Sequence, residues 1–159
     1  MDRRLLKLQA ALLALGTAFS WFTLIVDYRS FFAAGGQVFE LSGCAVANPL
    51  ATPCFYGAMA FLAALVWAVV VLRSSPERAT QRQRGLRWLL LAATLFAWGN
   101  FGYEVYRYVQ PHPGATTFSC PPGEAPIHPL STPCFYGALI YLSAFVVAML
   151  ALRTRAMRT

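Results

Sequence analysis

The stretch that decides the fold is a repeat: NPLATPCFYGAMAFLAALVWA at residues 48–68 returns as HPLSTPCFYGALIYLSAFVVA at residues 128–148. The second copy follows the first by 80 positions, and the segment TPCFYGA is identical in both. Each copy is a polar, proline-containing lead followed by an apolar run. The chain therefore uses one unit twice, and whatever the motif does, it does in two places.

The composition indicates a membrane protein. Of 159 residues, 58% are hydrophobic and 12% are charged, whereas a soluble domain has about a quarter charged residues. Four apolar stretches each approach the ~20 residues that a helix needs to cross a bilayer. They lie at about 5–26, 55–72, 88–106 and 135–152. Continuous apolar runs of this length predict helices, because a helix satisfies its own backbone in lipid.

The repeat boundary falls between the second and third apolar stretches, so the repeated unit is a helical hairpin. We predict an all-α protein of four transmembrane helices in tandem, with a first hairpin at 1–80 and a second at 81–159. Small residues recur four apart, as at Ala60, Ala64 and Ala68. Helices approach closely at such positions in lipid, which favours one compact four-helix bundle.

The net charge of +7 is an orientation signal. Eleven of the thirteen basic residues lie at the two chain ends or in and beside the polar segment 73–87, and only Arg29 and Arg107 lie elsewhere. By the positive-inside rule this predicts both termini in the cytoplasm of a cell with an inner membrane. The distribution argues against nucleic acid as a partner and leaves the lipid bilayer as the surroundings.

All four cysteines fall in or beside the two segments predicted to be extracytoplasmic. An even count in an oxidising compartment is typical of structural disulfides. Sequence order favours Cys44–Cys54 and Cys120–Cys134, one in each repeat. Each would tie a loop to the head of a helix and contribute about 3 kcal/mol.

A second interpretation starts from where the cysteines fall in the helices. In both copies a threonine and a proline precede the cysteine, a pattern that predicts a hydroxyl cap and a first helical residue without an amide. Cys54 and Cys134 then occupy the second helical residue. The positive end of a helix dipole stabilises a thiolate there, which makes it a better nucleophile.

The cysteine plan resembles that of four-helix membrane thiol oxidases, the bacterial disulfide-bond formation membrane proteins and the vitamin K epoxide reductase-like proteins. Pro53-Cys54-Phe55-Tyr56-Gly57 resembles their Pro-Cys-x-x-Cys segment, with Gly57 in place of the second cysteine. No Cys-x-x-Cys occurs in the chain.

That resemblance implies that Cys54, with Cys44 as a possible partner, is redox-active and passes electrons to a quinone. Under the same interpretation the repeat extends this role to Cys134 and Cys120. The residues that would hold the quinone are aromatic and basic side chains near the outer ends of the first and third spans: Phe19, Trp21, Phe22, Trp98, Tyr103, Arg29 and Arg107.

Other polar residues carry weaker signals. Asp27 and Glu104 occupy matching positions in the first and third spans; we interpret them as interfacial charges, with a polar mouth or proton path as the alternative. His112 and His128 are too few for a metal site, and we predict none.

Three classes of function remain. The first is a non-catalytic membrane subunit or scaffold, whose stapled loops contact a membrane-protein partner or a second copy. The second is a quinone-linked thiol–disulfide oxidoreductase, and the third is a small transporter or channel. The sequence ranks the first class highest and leaves open whether the protein is an enzyme; no cofactor is predicted outside the quinone alternative.

Overall fold

The fold comes from a computed structural model, which describes residues 3–33, 35, 50, 52–110 and 128–156. Within these ranges every regular element is a helix, so the all-α prediction is confirmed for the described part of the chain. Of the four cysteines, the two in the helices are described and the two in the loops are not.

Four long helices account for nearly all of the described residues. They are α1 (Arg3–Ala33), α2 (Pro53–Leu72), α3 (Pro76–Val109) and α4 (Pro133–Ala156). A short 3-10 turn, Pro129–Ser131, leads into α4. The helices alternate in direction, and each packs against its two neighbours around a square, with α1 closing against α4.

The two repeated helices begin where the sequence predicts. Pro53 and Pro133 are the first residues of α2 and α4, since proline has no amide to leave unpaired there. The predicted hydroxyl cap at Thr52 is wrong: its backbone is extended (φ −86°, ψ 149°) but its side chain makes no capping hydrogen bond. The Phe55 amide instead donates to the Thr52 carbonyl at 3.1 Å, so the backbone supplies the partner that the hydroxyl was expected to supply.

Three of the described helical segments are long and apolar enough to cross a membrane: Arg3–Ala33, Pro53–Leu72 and Pro133–Thr154. These segments bear many exposed large apolar side chains, such as Phe22 at 67% exposure. The third predicted span, 88–106, lies inside α3, which is not among these three segments, so that span stays a prediction.

The bundle has two chemically distinct ends. The basic end holds the start of α1, the turn between α2 and α3, and the end of α4, with arginines such as Arg4, Arg78 and Arg153. The cysteine end holds the starts of α2 and α4, with Cys54 and Cys134. The charge pattern and the cysteine pattern of the sequence therefore map to opposite ends of one bundle.

Small side chains line the bundle interior at matching positions of the two copies. The shared buried positions are Ala58, Ala64 and Ala68 in α2 and Ala138, Ala144 and Ala148 in α4. Ala60, expected on the same stripe, is only partly buried. The closest approach is at Gly16 of α1, where an added Cβ would collide with the Phe61 ring of α2. Small residues therefore let the helices pack tightly.

A buried pair of amides joins α1 to α3 toward the basic end. Gln83 Nε2 donates to Gln9 Oε1 at 2.7 Å, and the two side chains are 0% and 1% exposed. The remaining amide atoms, Gln9 Nε2 and Gln83 Oε1, are buried without a partner. Nothing in the sequence singled out this pair, because a glutamine near a basic helix end looks like an ordinary surface residue.

Candidate functional site at the cysteine end

The two repeated cysteines meet at the centre of the cysteine end. Cys54 Sγ and Cys134 Sγ lie 4.0 Å apart, and both are partly buried free thiols. Each is the second residue of its helix, so two helix N-termini converge on the pair. The positive ends of both dipoles stabilise negative charge on either sulfur.

A cavity of about 70 Å³ lies against the two thiols. Its lining comes from all four helices in equivalent positions of the two copies: 77 residues apart between α1 and α3, and 80 apart between α2 and α4. The lining residues are Phe19, Ser20, Thr23, Pro53, Cys54, Gly57, Ala58 and Phe61, with Phe96, Ala97, Asn100, Pro133, Cys134, Gly137, Ala138 and Tyr141. The cavity is therefore where the two halves of the chain face each other.

The cavity is open at its middle because of two glycines. Gly57 and Gly137 lie one helical turn from the cysteines, and a Cβ added to either would meet nothing within 4 Å. Seven residues, or about 10.5 Å of helix, separate Cys54 from Phe61. The cysteines therefore lie at one end of the cavity along the bundle axis, and Phe61 lies at the other end.

The inner end of the cavity is a stacked aromatic pair that differs between the copies. The rings of Phe61 and Tyr141 lie 3.7 Å apart between centroids and 10° from parallel. Tyr141 Oη donates to the Gly57 carbonyl at 2.8 Å. A phenylalanine in one copy and a tyrosine in the other give the cavity one polar anchor, which makes its two sides unequal.

The polar side chains of the wall are largely used by their own helices. Ser20 Oγ donates to the Thr17 carbonyl at 3.1 Å and Thr23 Oγ1 to the Ser20 carbonyl at 2.9 Å. Asn100 Nδ2 donates one hydrogen to the Phe96 carbonyl at 2.8 Å, and its amide has a second. The cavity is thus mostly apolar, and the two thiols are its reactive groups.

Two carboxyl groups act on the cysteine pair. Glu104 reaches the head of α4 through its contact with Thr132, and Glu104 and Asp27 both act electrostatically on Cys54. Thr132 Oγ1 shares its hydrogen between the Pro129 carbonyl at 2.7 Å and Glu104 Oε2 at 3.2 Å. The carboxyl group of Glu104 is therefore held beside the thiols, which the sequence did not indicate beyond its matching position with Asp27.

The predicted disulfides stay predictions. Cys44 and Cys120, the loop partners of Cys54 and Cys134, lie outside the described residues, as does His112. The structure adds a partner that the sequence analysis did not consider, because it places the two helix-head cysteines against each other across the repeat.

Of the side chains expected to hold a quinone, Phe19 lines the cavity and the other six do not. Phe22 and Tyr103 are 67% and 57% exposed, and the Arg107 guanidinium lies over the Tyr103 ring at 5.8 Å. Trp21 and Trp98 are partly buried, with indole nitrogens that are buried without a hydrogen-bond partner. Arg29, the remaining member, is exposed.

The residues that the sequence analysis missed are Phe61, Tyr141 and the glycines before them. A usable signal was present: positions three, four and seven residues after each cysteine lie on the cysteine's face of the helix. Reading that face in both copies would have selected Gly57, Ala58 and Phe61 with their equivalents.

Among the described residues, no three His, Cys, Asp or Glu side chains converge as a metal site. His128 is exposed; its Nδ1 accepts from the Leu130 amide at 3.3 Å, and its ring lies 5.7 Å from that of Tyr108. This histidine stabilises the turn before α4.

Comparison with protein-family models, with curated proteins and with solved structures finds no match to the chain.

Proposed function

We propose that this protein is an integral-membrane thiol–disulfide oxidoreductase whose exchanging pair is Cys54 and Cys134. The observation that carries the proposal is the 4.0 Å separation of the two sulfurs beside an apolar cavity. A disulfide needs the sulfurs at about 2.05 Å. Rotation of the two cysteine side chains can shorten the sulfur–sulfur distance toward that of a disulfide while the helices stay in place.

The proposal includes the membrane arrangement predicted from sequence. Four spans arranged as two hairpins place the cysteine end outside and the basic end in the cytoplasm, in a bacterial-type inner membrane. Three apolar helices support the membrane setting, and the segregation of arginines to one end supports the orientation. The remaining span, third in chain order, is 88–106 within α3. Its side chains Trp88 and Leu95 are 60% and 65% exposed, which suits contact with lipid.

The chemistry at the pair is a two-electron oxidation. Cys54 and Cys134 lose two protons and two electrons as one S–S bond forms, and an incoming disulfide substrate or electron acceptor takes them up. The two converging helix N-termini stabilise the thiolate that must form first. Glu104, held by Thr132 two residues before Cys134, is the proposed acceptor of a thiol proton as the bond closes.

A quinone is the acceptor that the resemblance implies; the cavity of about 70 Å³ is smaller than the ~150 Å³ that holds a benzene ring, so only part of a quinone ring would enter it. Phe19 and Phe96 offer apolar walls, and Asn100 retains an amide hydrogen for a ring oxygen. When bound, a membrane quinone supplies the two-electron acceptor. The contribution of the chain is to place the thiols against a mostly apolar cavity.

Redox mapping of the full-length protein in lipid nanodiscs tests the proposal. The reduced protein is incubated with a short-chain quinone, quenched with acid, alkylated and analysed by mass spectrometry of disulfide-linked peptides. We expect a Cys54–Cys134 link that forms on quinone addition and is reduced by a mild dithiol. The Cys44→Ser/Cys120→Ser variant should form the same link, because neither loop cysteine takes part in the pair.

Two results would reject the proposal. One is persistence of Cys44–Cys54 and Cys120–Cys134 links that resist mild dithiol, which would return the protein to the class of stapled, non-catalytic membrane subunits. The other is unchanged quinone reduction after Cys54→Ser and Cys134→Ser. The Ser143→Ala variant, which keeps all four cysteines and is changed on an exposed face of α4, is the matched control for handling and folding.

A further inference from the structure

We propose that Cys54 and Cys134 in the reduced protein form a two-thiolate binding site for a soft monovalent cation, with copper(I) as the biological ion. This inference goes beyond thiol–disulfide exchange, because binding needs the two sulfurs in place but no oxidation of either. It rests on the spacing of the pair, on the ligands that surround it and on the charges beside it.

The spacing suits one bridging ion. Thiolate–metal bonds are about 2.3 Å long, so two sulfurs on opposite sides of one ion lie at most about 4.6 Å apart. Two-coordinate copper(I) is close to linear, so the observed 4.0 Å is about 0.6 Å shorter than a bridging ion needs with bonds of that length, a difference that rotation of the two cysteine side chains covers. The helices therefore already hold the sulfurs at a distance that one ion can bridge, and no movement of α2 or α4 is needed.

The surroundings select the kind of ion. Zinc sites in proteins use three or four protein ligands, and calcium uses six or more oxygens. No third His, Cys, Asp or Glu joins the two thiols as a ligand set among the described residues. The hydroxyls of Ser20 and Thr23 donate to helix carbonyls. Thiolates alone favour soft ions such as copper(I), which accepts two ligands.

Charge at the cysteine end also favours a cation. The carboxyl groups of Asp27 and Glu104 both act on Cys54: their negative charge opposes loss of the thiol protons and attracts positive ions, and a bound cation offsets the first effect. Binding is balanced as Cu⁺ plus two thiols giving a bis-thiolate complex of charge −1 and two released protons. The two helix N-termini at the pair stabilise that negative complex.

Titration of the reduced full-length protein tests the site. Copper(I) is added under anaerobic conditions in nanodiscs, in competition with the chromogenic chelator bathocuproine disulfonate. We expect wild type and the Cys44→Ser/Cys120→Ser variant to retain one equivalent against the chelator, and Cys54→Ser and Cys134→Ser each to retain none. Zinc added alone should not be retained by any of them. Retention by Cys54→Ser, or loss in Cys44→Ser/Cys120→Ser, would overturn the two-thiolate site.

A second measurement needs no variant of the pair, so a misfolded serine mutant would not obscure the answer. One equivalent of silver(I) should slow alkylation of both Cys54 and Cys134 in the wild-type protein and leave Cys44 and Cys120 unaffected. Unprotected thiols would refute the inference. Copper(I) retention without quinone-driven oxidation would support this site and reject the oxidoreductase, whereas oxidation without retention would do the reverse.

Discussion

Removing one member of the buried Gln9–Gln83 pair should destabilise the bundle more than removing both. Gln9→Leu takes away the acceptor of the 2.7 Å hydrogen bond and leaves the Gln83 amide at 0% exposure with both polar atoms unpaired. A buried polar group without a partner costs about 1–3 kcal/mol. Leucine has nearly the volume of glutamine, so a packing void adds little to that cost.

The double variant Gln9→Leu/Gln83→Leu removes the stranded amide altogether. It also removes the two amide atoms that have no partner in the native protein, Gln9 Nε2 and Gln83 Oε1. We therefore expect the double variant to be at least as stable as either single variant, with a coupling free energy of about 1–3 kcal/mol. The pair would then serve the register of α1 against α3 rather than the stability of the bundle.

The assay is reversible unfolding in mixed micelles of dodecyl sulfate and a mild detergent, followed by the loss of helical circular dichroism. Gln81→Leu, an exposed glutamine on the same helix, is the matched control and should change the free energy of unfolding by less than about 0.5 kcal/mol. Strict additivity, with the double variant as unstable as the sum of the two single variants, would refute the reasoning.

Three further outcomes are expected. Gly57→Ala should fold normally and fill part of the cavity, because its Cβ enters open space. Gly16→Ala should lower the free energy of unfolding by about 1–3 kcal/mol, because its Cβ overpacks against Phe61. Equal thermal stabilities of the two variants would contradict this prediction. Tyr141→Phe should cost about 0.5–1.5 kcal/mol by removing the bond to the Gly57 carbonyl, and a destabilisation no larger than that of an exposed Tyr136→Phe control would show that the bond contributes nothing. In a cysteine-free background Ser74→Cys, at the basic end, should be labelled by a membrane-impermeant maleimide only after the cells are opened, and labelling in intact cells would reverse the orientation.

Local features of the chain were predictable because they depend on near neighbours. The apolar runs and their lengths predicted the helices, and proline predicted their first residues at Pro53 and Pro133. The predicted hydroxyl cap at Thr52 was wrong because the backbone carbonyl of the same residue accepts the hydrogen bond from the Phe55 amide. The third span, 88–106, stays a prediction; it lies within α3, which runs as one helix from Pro76 to Val109, with its charged first turns outside the apolar part.

The sequence predicted the cysteines of the candidate site but not the way in which they pair. The repeat drew attention to Cys54 and Cys134 but suggested partners nearby in the chain, Cys44 and Cys120, because short loops close most readily. The aromatic cluster around Trp21 and Trp98 was chosen for composition, which does not say which side of a helix faces the bundle.

The apolar composition, the first residues of α2 and α4 and the repeated segment follow from the sequence alone, because each depends on composition or on residues within a few turns of one another. The contact between Cys54 and Cys134, 80 positions apart, depends on how α2 and α4 rotate and approach. That rotation comes from the packing of small side chains such as Ala58 and Ala138 at the interior of all four helices. Packing among four helices is a property of the assembled bundle, so the cavity and its pair of thiols emerge only when both halves of the chain come together.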